Sequence, residues 1–231
     1  QRQMCIRDSM KGVAQNKGMS ELTSDLPSVA KTGKRGTVGL LLLRSYLVAG
    51  NAAHYNGVIT ALEARGMRVV PAFATGLDAR PAVEKFFMKD GRSTVDAIIS
   101  LTGFSMVGGP AYNDSKSAEE ILAKLDVYYL SVMPVEFQTL ERWGANERGL
   151  MPVEATMMVA IPELDGSTGP LVFGGRSTGA GDQCTGCSRR CVFPASENEH
   201  DMQVCIERAD MLASRVGKLI DLKRAERANK K

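Results

Sequence analysis

Cys184, Cys187, Cys191 and Cys205 place four thiols in one short stretch of the chain. Thiolates are the preferred ligands of zinc and of iron–sulfur clusters, and a tight loop backed by one cysteine on a helix can present four sulfurs to one point. Arg189 and Arg190 lie inside the loop, where cations offset thiolate or cluster charge. The spacing matches neither a zinc ribbon, which needs two Cys-x-x-Cys knuckles, nor the bacterial ferredoxin run. A 4Fe-4S cluster, a structural Zn and ordinary thiols or disulfides all remain open. Disulfides are disfavoured because nothing in the sequence indicates an oxidising compartment. His200, between Glu199 and Asp201, reads as a solvated residue at a helix start, with an extra ligand role as the alternative.

A second group of chemically able residues surrounds Ser100-Leu101-Thr102-Gly103-Phe104-Ser105-Met106-Val107-Gly108-Gly109-Pro110. This stretch follows Val95-Asp96-Ala97-Ile98-Ile99, a short branched run that predicts a buried strand. Loops at the carboxyl ends of strands are where open α/β sheets bind ligands. Phe104, Gly108 and Gly109 are therefore candidate binding residues; the alternative is a tight connection whose glycines only supply unusual backbone angles. No Gly-Lys-Ser/Thr ends the run, which excludes a phosphate loop of that type. Arg44 and His54 fall close to the carboxyl end of the first predicted strand, near Tyr46. There the histidine could bind an acidic group or transfer a proton, or simply pack locally. No nucleophile elbow, carboxylate pair or Ser/His/Asp set is legible, so the catalytic residues are unknown. Glu63, Glu84, Glu119, Glu120, Glu136 and Glu163 are expected mostly on solvent faces, and the methionines in core gaps.

The elements that must position these residues follow from hydrophobic patterning. Val38 to Leu43 reads as a strand buried on both faces, followed by a helix with Asn51 as N-cap and Tyr55, Val58, Ile59 and Leu62 on one side. Arg68 to Phe73 is the second strand. A short helix beginning at Pro81 precedes the third strand, and Ser117 with Glu120 forms a capping box before the stripe Ala118, Ile121, Leu122, Leu125. Val127 to Leu130 is the fourth strand. This alternation predicts an α/β fold: a Rossmann-like or flavodoxin-like parallel sheet with flanking helices and right-handed crossovers. Beyond Pro134, Phe137 to Trp143 reads as a short helix, Glu154 to Ile161 as strand or helical turn, and Pro170 to Gly174 as a strand. Residues 201–231 read as one long helix with Cys205, Ala209, Leu212, Val216 and Leu219 on its seam.

The expected organisation is thus a non-native leader over residues 1–9, a linker or arm over 10–36, the α/β domain over 37–176, the cysteine loop over 177–200 and a truncated helix over 201–231. A net charge of +3 in 231 residues, with 24% charged and 44% apolar, argues against nucleic acid as a partner. No apolar run approaches the ~20 residues of a membrane span, and no secretory pattern opens the chain. A cytoplasmic protein is expected.

Several ordered blocks carry a family resemblance. Val38-Gly39-Leu40 through Arg44-Ser45, Gly50-Asn51, His54-Tyr55, Leu62-Glu63-Ala64-Arg65-Gly66 and Pro71-Ala72-Phe73-Ala74-Thr75-Gly76-Leu77-Asp78 resemble the large subunit of magnesium chelatase. Ser100 to Phe104, Val107 to Ala111, Leu125-Asp126-Val127, Pro134-Val135, Phe137-Gln138-Thr139 and Ile161 to Gly166 continue the match in the same order. The cysteine segment is similar to the bacteriochlorophyll-type branch. The resemblance implies binding of protoporphyrin IX and insertion of Mg2+ in (bacterio)chlorophyll biosynthesis, together with two ATP-hydrolysing AAA+ subunits and the remaining domains of the large subunit. It also implies that this chain is an internal fragment, inactive by itself, because the family's catalytic segment lies downstream. Under it Arg44, His54, Phe104, Gly108 and Gly109 are candidate substrate contacts. Other readings are an iron–sulfur redox-sensing module, a cobalt chelatase-like large subunit, and a flavodoxin-like domain binding an unrelated small molecule.

Overall fold

A computed structural model describes residues 34–74, 76–109, 111–178 and 201–229. The leader, the arm as far as residue 33, Cys184, Cys187, Cys191 and His200 lie outside the described residues, whereas the end of the arm is described and Gly36 already belongs to the first strand. The first strand, β1 (Gly36–Leu42), pairs in parallel with β2 (Met67–Phe73) on one side and β5 (Ala97–Ser100) on the other, and β8 (Tyr128–Ser131) completes the order β2-β1-β5-β8. Two small hairpins separate these strands: β3 (Met88–Lys89) with β4 (Arg92–Ser93), and β6 (Gly108–Gly109) with β7 (Tyr112–Asn113).

The helices lie on both faces of this sheet. After β1 come the short α1 (Arg44–Val48) and α2 (Ala53–Ala64). Next are α3 (Arg80–Phe87), and α4 (Ser115–Leu125) between β5 and β8. Val38, Leu40 and Leu42 of β1 pack in one core with Tyr55, Val58 and Leu62 of α2. Leu41 joins the opposite core with Phe87 of α3 and Ile121 of α4. The change of face has a topological cause. The chain moves from β1 to β2 in one direction and from β2 to β5 in the other, so right-handed crossovers put α2 and α3 on opposite faces. Gly39 permits the second layer to come close: a Cβ there would stand 2.8 Å from the Phe87 ring.

The second half departs from its sequence pattern. Residues predicted to begin a helix at Phe137 instead continue the strand β9 (Met133–Thr139), and α5 (Leu140–Ala145) starts where the Thr139 hydroxyl accepts from the Arg142 N–H. The ambiguous stretch is helical throughout: α6 (Pro152–Ala155), a π-turn over Thr156–Ala160, and α7 (Ile161–Leu164). β9 pairs in parallel with β10 (Val172–Arg176), which pairs antiparallel with β11 (Met202–Val204). The predicted 201–231 helix therefore begins later, as α8 (Ile206–Asn229). Its buried seam is Ala209, Leu212, Ala213, Val216, Gly217 and Ile220, and several of these join the α2 core. Two caps also differ. Asn51 does not cap α2; its Oδ1 accepts from the Met202 N–H at 2.9 Å. Asp114, not Ser117, caps α4, accepting from the Ser117 N–H at 3.0 Å and the Ser117 hydroxyl at 2.7 Å.

Candidate functional site

The carboxyl ends of β1, β2 and β5 surround a cavity of about 270 Å³. It opens where β1 and β5 send the chain in opposite directions, the topological switch point at which open α/β sheets take ligands. Leu41, Leu42 and Leu43 form one wall, Ala74 and Leu77 another, and Thr102, Phe104 and Gly108 a third. Arg44 and Ser45, the first residues of α1, stand at the same opening. Arg44 is the one charged side chain among the described residues that line the cavity. It is exposed, and among the described residues it makes no salt bridge.

The loop from Thr102 to Gly109 owes its shape to a partner far along the chain. Asp165, just past α7, is 2% exposed. Its carboxylate accepts from the Met106 N–H at 2.7 Å and from the Ser105 hydroxyl at 2.7 and 2.9 Å. Burial pushes the Asp165 carboxyl above the usual carboxylate range, and these two donors oppose that shift. Gly108 is required in the hairpin that follows: its φ is +131°, and a Cβ there would collide with the Tyr112 carbonyl. Gly109 lies under Leu77, whose Cδ1 would be 2.6 Å from an added Cβ, so it seats this wall without lining the cavity. On the β2 side, Asp78 receives Arg80 Nε and Nη2 at 2.7 to 3.1 Å, fixing the turn into α3.

Of the two readings open for His54, the structure shows the packed one. It is fully buried, stacked 5.9 Å from Phe173 and 3.8 Å from Tyr55, with Tyr46 edge-on at 5.1 Å. Among the described residues neither ring nitrogen has a hydrogen-bond partner, and burial lowers its pKa to about 3. The imidazole is neutral and enclosed by aromatic rings; it does not line the cavity. Thus the structure brings Arg44, Phe104 and Gly108 together, puts Gly109 behind them, and moves His54 into the core.

Several polar residues escaped sequence reasoning. Glu136, expected on a solvent face, is half-buried with its carboxyl raised mainly by burial, while the neighbouring Tyr46 phenol and Arg176 favour its charged form. Burial also raises the Tyr46 phenol, with Glu136 adding to the shift. Glu154 is fully buried and accepts from the Gln138 side chain at 2.7 Å, the Met151 N–H at 2.9 Å and the Phe137 N–H at 3.3 Å. A Pro at the first turn of α6 with an acidic residue shortly after was the available local signal for Glu154. Asp165 and Glu136 had none, because their partners lie on other elements.

Of the four candidate ligand cysteines, Cys205 alone lies among the described residues. It is buried at the junction of β11 and α8, where its N–H donates to the Phe173 carbonyl at 2.9 Å. It immediately precedes α8, and its carbonyl accepts from the N–H of Ala209, the next residue of the predicted seam, at 2.9 Å. Among the described residues no three His, Cys, Asp or Glu side chains are grouped to hold a metal ion, and no described helix is long and apolar enough to cross a membrane.

The sequence is 50% identical over 209 residues to a magnesium-chelatase subunit of Cereibacter sphaeroides, covering 90% of this chain and 17% of that protein. It is 48% identical over 195 residues to the corresponding protein of Rhodobacter capsulatus, covering 84% of this chain and 16% of that one. The chain therefore spans about one sixth of the length of these relatives. The fold superposes on the catalytic subunit of cobaltochelatase from Mycobacterium tuberculosis with a TM-score of 0.59 and 23% identity, over 82% of this chain and 15% of that one. A profile of the CobN/Magnesium Chelatase family matches residues 4–231, and the chain belongs to that family.

Proposed function

We propose that this chain is a segment of the porphyrin-binding subunit of a magnesium chelatase. In that subunit it would contribute to inserting Mg2+ into protoporphyrin IX for (bacterio)chlorophyll synthesis, in the cytoplasm, with two ATP-hydrolysing AAA+ subunits. The observation that carries this reading is the 50% identity, across 90% of the chain, with a magnesium-chelatase subunit. The cavity adds support: apolar walls with one cation at the mouth suit an amphiphilic acid better than a nucleotide or a sugar. Arg44, Phe104 and Gly108 are proposed as substrate contacts, Gly109 as the support of the Leu77 wall, and His54 as core. Reconstitution of a full-length subunit carrying this segment, with the two partner subunits, ATP, Mg2+ and deuteroporphyrin IX, tests the reading. Mg-porphyrin fluorescence that requires ATP supports it. Insertion of Co2+ in preference to Mg2+ would transfer the chain to a cobalt chelatase.

Cys184, Cys187, Cys191 and Cys205 are proposed as ligands of a 4Fe-4S cluster, with a single zinc as the other occupant of the same thiolates. The buried position of Cys205 fits the protected end of such a set. A cluster held by these thiolates would make this part of the chain redox-sensitive. Iron and zinc analysis of anaerobically purified protein decides between the two metals.

A further inference from the structure

The switch-point cavity is too small for a tetrapyrrole. Its volume of about 270 Å³ falls below the ~300–1,000 Å³ of pockets that enclose whole drug-sized ligands. Its chemistry is nevertheless asymmetric. Leu41, Leu42, Leu43, Leu77 and Phe104 supply the apolar lining, Thr102, Ser105 and Ser45 add hydroxyl-bearing residues, and Arg44 is the charged residue among them.

Leu77, 56% exposed, extends the apolar surface outward from the cavity, and the 68% exposed Tyr112 lies on the hairpin strand paired with Gly108–Gly109. Such a site accepts a short hydrocarbon stem and pairs its terminal anion with a planar fork of N–H donors. On the β2 side, Arg80 is already paired with Asp78. An arginine with no ionic partner among the described residues, beside a largely apolar cavity, keeps its pairing capacity for a ligand.

We infer that this cavity binds a carboxylate at the end of a short apolar stem, with Arg44 as its ionic partner and Phe104 and Leu77 flanking the stem. Two sources share that chemistry: a propionate side chain of the tetrapyrrole, whose ring then rests outside the cavity, and a free small carboxylic acid. The first source rests on the proposed function, whereas the chemistry of the cavity does not.

The test uses the full-length subunit, as wild type, Arg44→Ala and Arg44→Lys, titrated with deuteroporphyrin IX, its dimethyl ester and 3-phenylpropionate. Removing a charged hydrogen-bond partner weakens binding by about tenfold to a hundredfold. Arg44→Ala is expected to weaken the diacid by that factor and to leave the ester unchanged, with Arg44→Lys intermediate. Arg44 is exposed and belongs to no core, so melting curves of the variants are expected to overlay the wild type.

If the subunit binds no porphyrin but binds 3-phenylpropionate in an Arg44-dependent way, the proposed function fails and the carboxylate site stands with a free acid as its ligand. If Arg44→Ala binds both diacid and 3-phenylpropionate as wild type does, the inference is overturned. Diacid and ester weakened equally by Arg44→Ala would overturn it too, since the residue would then support the site without meeting the acid.

Discussion

Asp165→Ala should loosen the loop that lines the cavity, and the size of the effect follows from its hydrogen bonds. In the wild type this carboxylate takes the Met106 N–H at 2.7 Å and the Ser105 hydroxyl at 2.7 and 2.9 Å. Each buried donor left without an acceptor costs about 1–3 kcal/mol. The Ser105 hydroxyl has a fallback, the Val107 carbonyl at 3.2 Å, so most of the loss falls on Met106. The expected cost is about 3 kcal/mol, or roughly a 6–12 °C lower Tm for a chain of this size. Asp165→Asn keeps one acceptor oxygen and should cost only about 1 kcal/mol. The pH dependence adds a second signature. Burial raises the folded-state pKa of Asp165, so its stabilising contribution is complete below the unfolded value and is lost as pH rises through the raised one. Relative to Asp165→Asn, the wild type should thus lose stability as pH climbs from about 4 toward that raised pKa. Urea unfolding of the three proteins between pH 4 and pH 7 measures both effects. An Asp165→Ala protein as stable as the wild type would refute the claim that this carboxylate holds the loop.

Other expectations follow from single residues. His54→Phe should be neutral or stabilising by about 1 kcal/mol, since it removes two buried nitrogens without partners among the described residues, and thermal melts would show it. With its folded pKa lowered to about 3, His54 favours folding above the unfolded value, and its contribution is lost as pH falls from about 6.5 toward 3. That component should be missing from the acid unfolding curve of His54→Phe. Gly108→Ala should destabilise by more than about 2 kcal/mol, because the new Cβ collides with the Tyr112 carbonyl at a positive φ. Gly39→Val should be comparably damaging, since its branch enters the Phe87 ring, and denaturant midpoints would rank the two.

The parallel sheet was legible because its strands are short branched runs divided by helical stripes. Val38 to Leu42, Met67 to Phe73 and Ala97 to Ser100 need no distant partner to be recognised. Legibility fell where tertiary partners overrode local preference. Phe137 to Thr139 look helical, yet they pair as strand because β10 lies alongside and Glu154 takes the Phe137 N–H. Met202 to Val204 match a helix period, but the β10 edge and the Asn51 side chain capture their backbone first. Asn51 and Ser117 were plausible caps by type; Met202 and Asp114 competed for the same groups. Arg44, Phe104 and Gly108 follow predicted strands closely, and the structure brings them to one cavity. His54 was legible only as a choice between binding and packing, and the Phe173 ring, which helps settle it, comes from outside any local pattern. Asp165 was invisible as an anchor, being 60 residues from Ser105.

The most direct test of the central claim is metal insertion by a full-length subunit that carries this segment. The subunit is mixed with its two partners, deuteroporphyrin IX, ATP and either Mg2+ or Co2+, and metal insertion is followed by the visible absorbance of the product, with fluorescence as a second readout for the magnesium product. ATP-dependent formation of the magnesium product is expected, slowed when Arg44 is replaced by Ala. Porphyrin left unmetallated by Mg2+ under conditions where Co2+ is inserted would contradict that expectation.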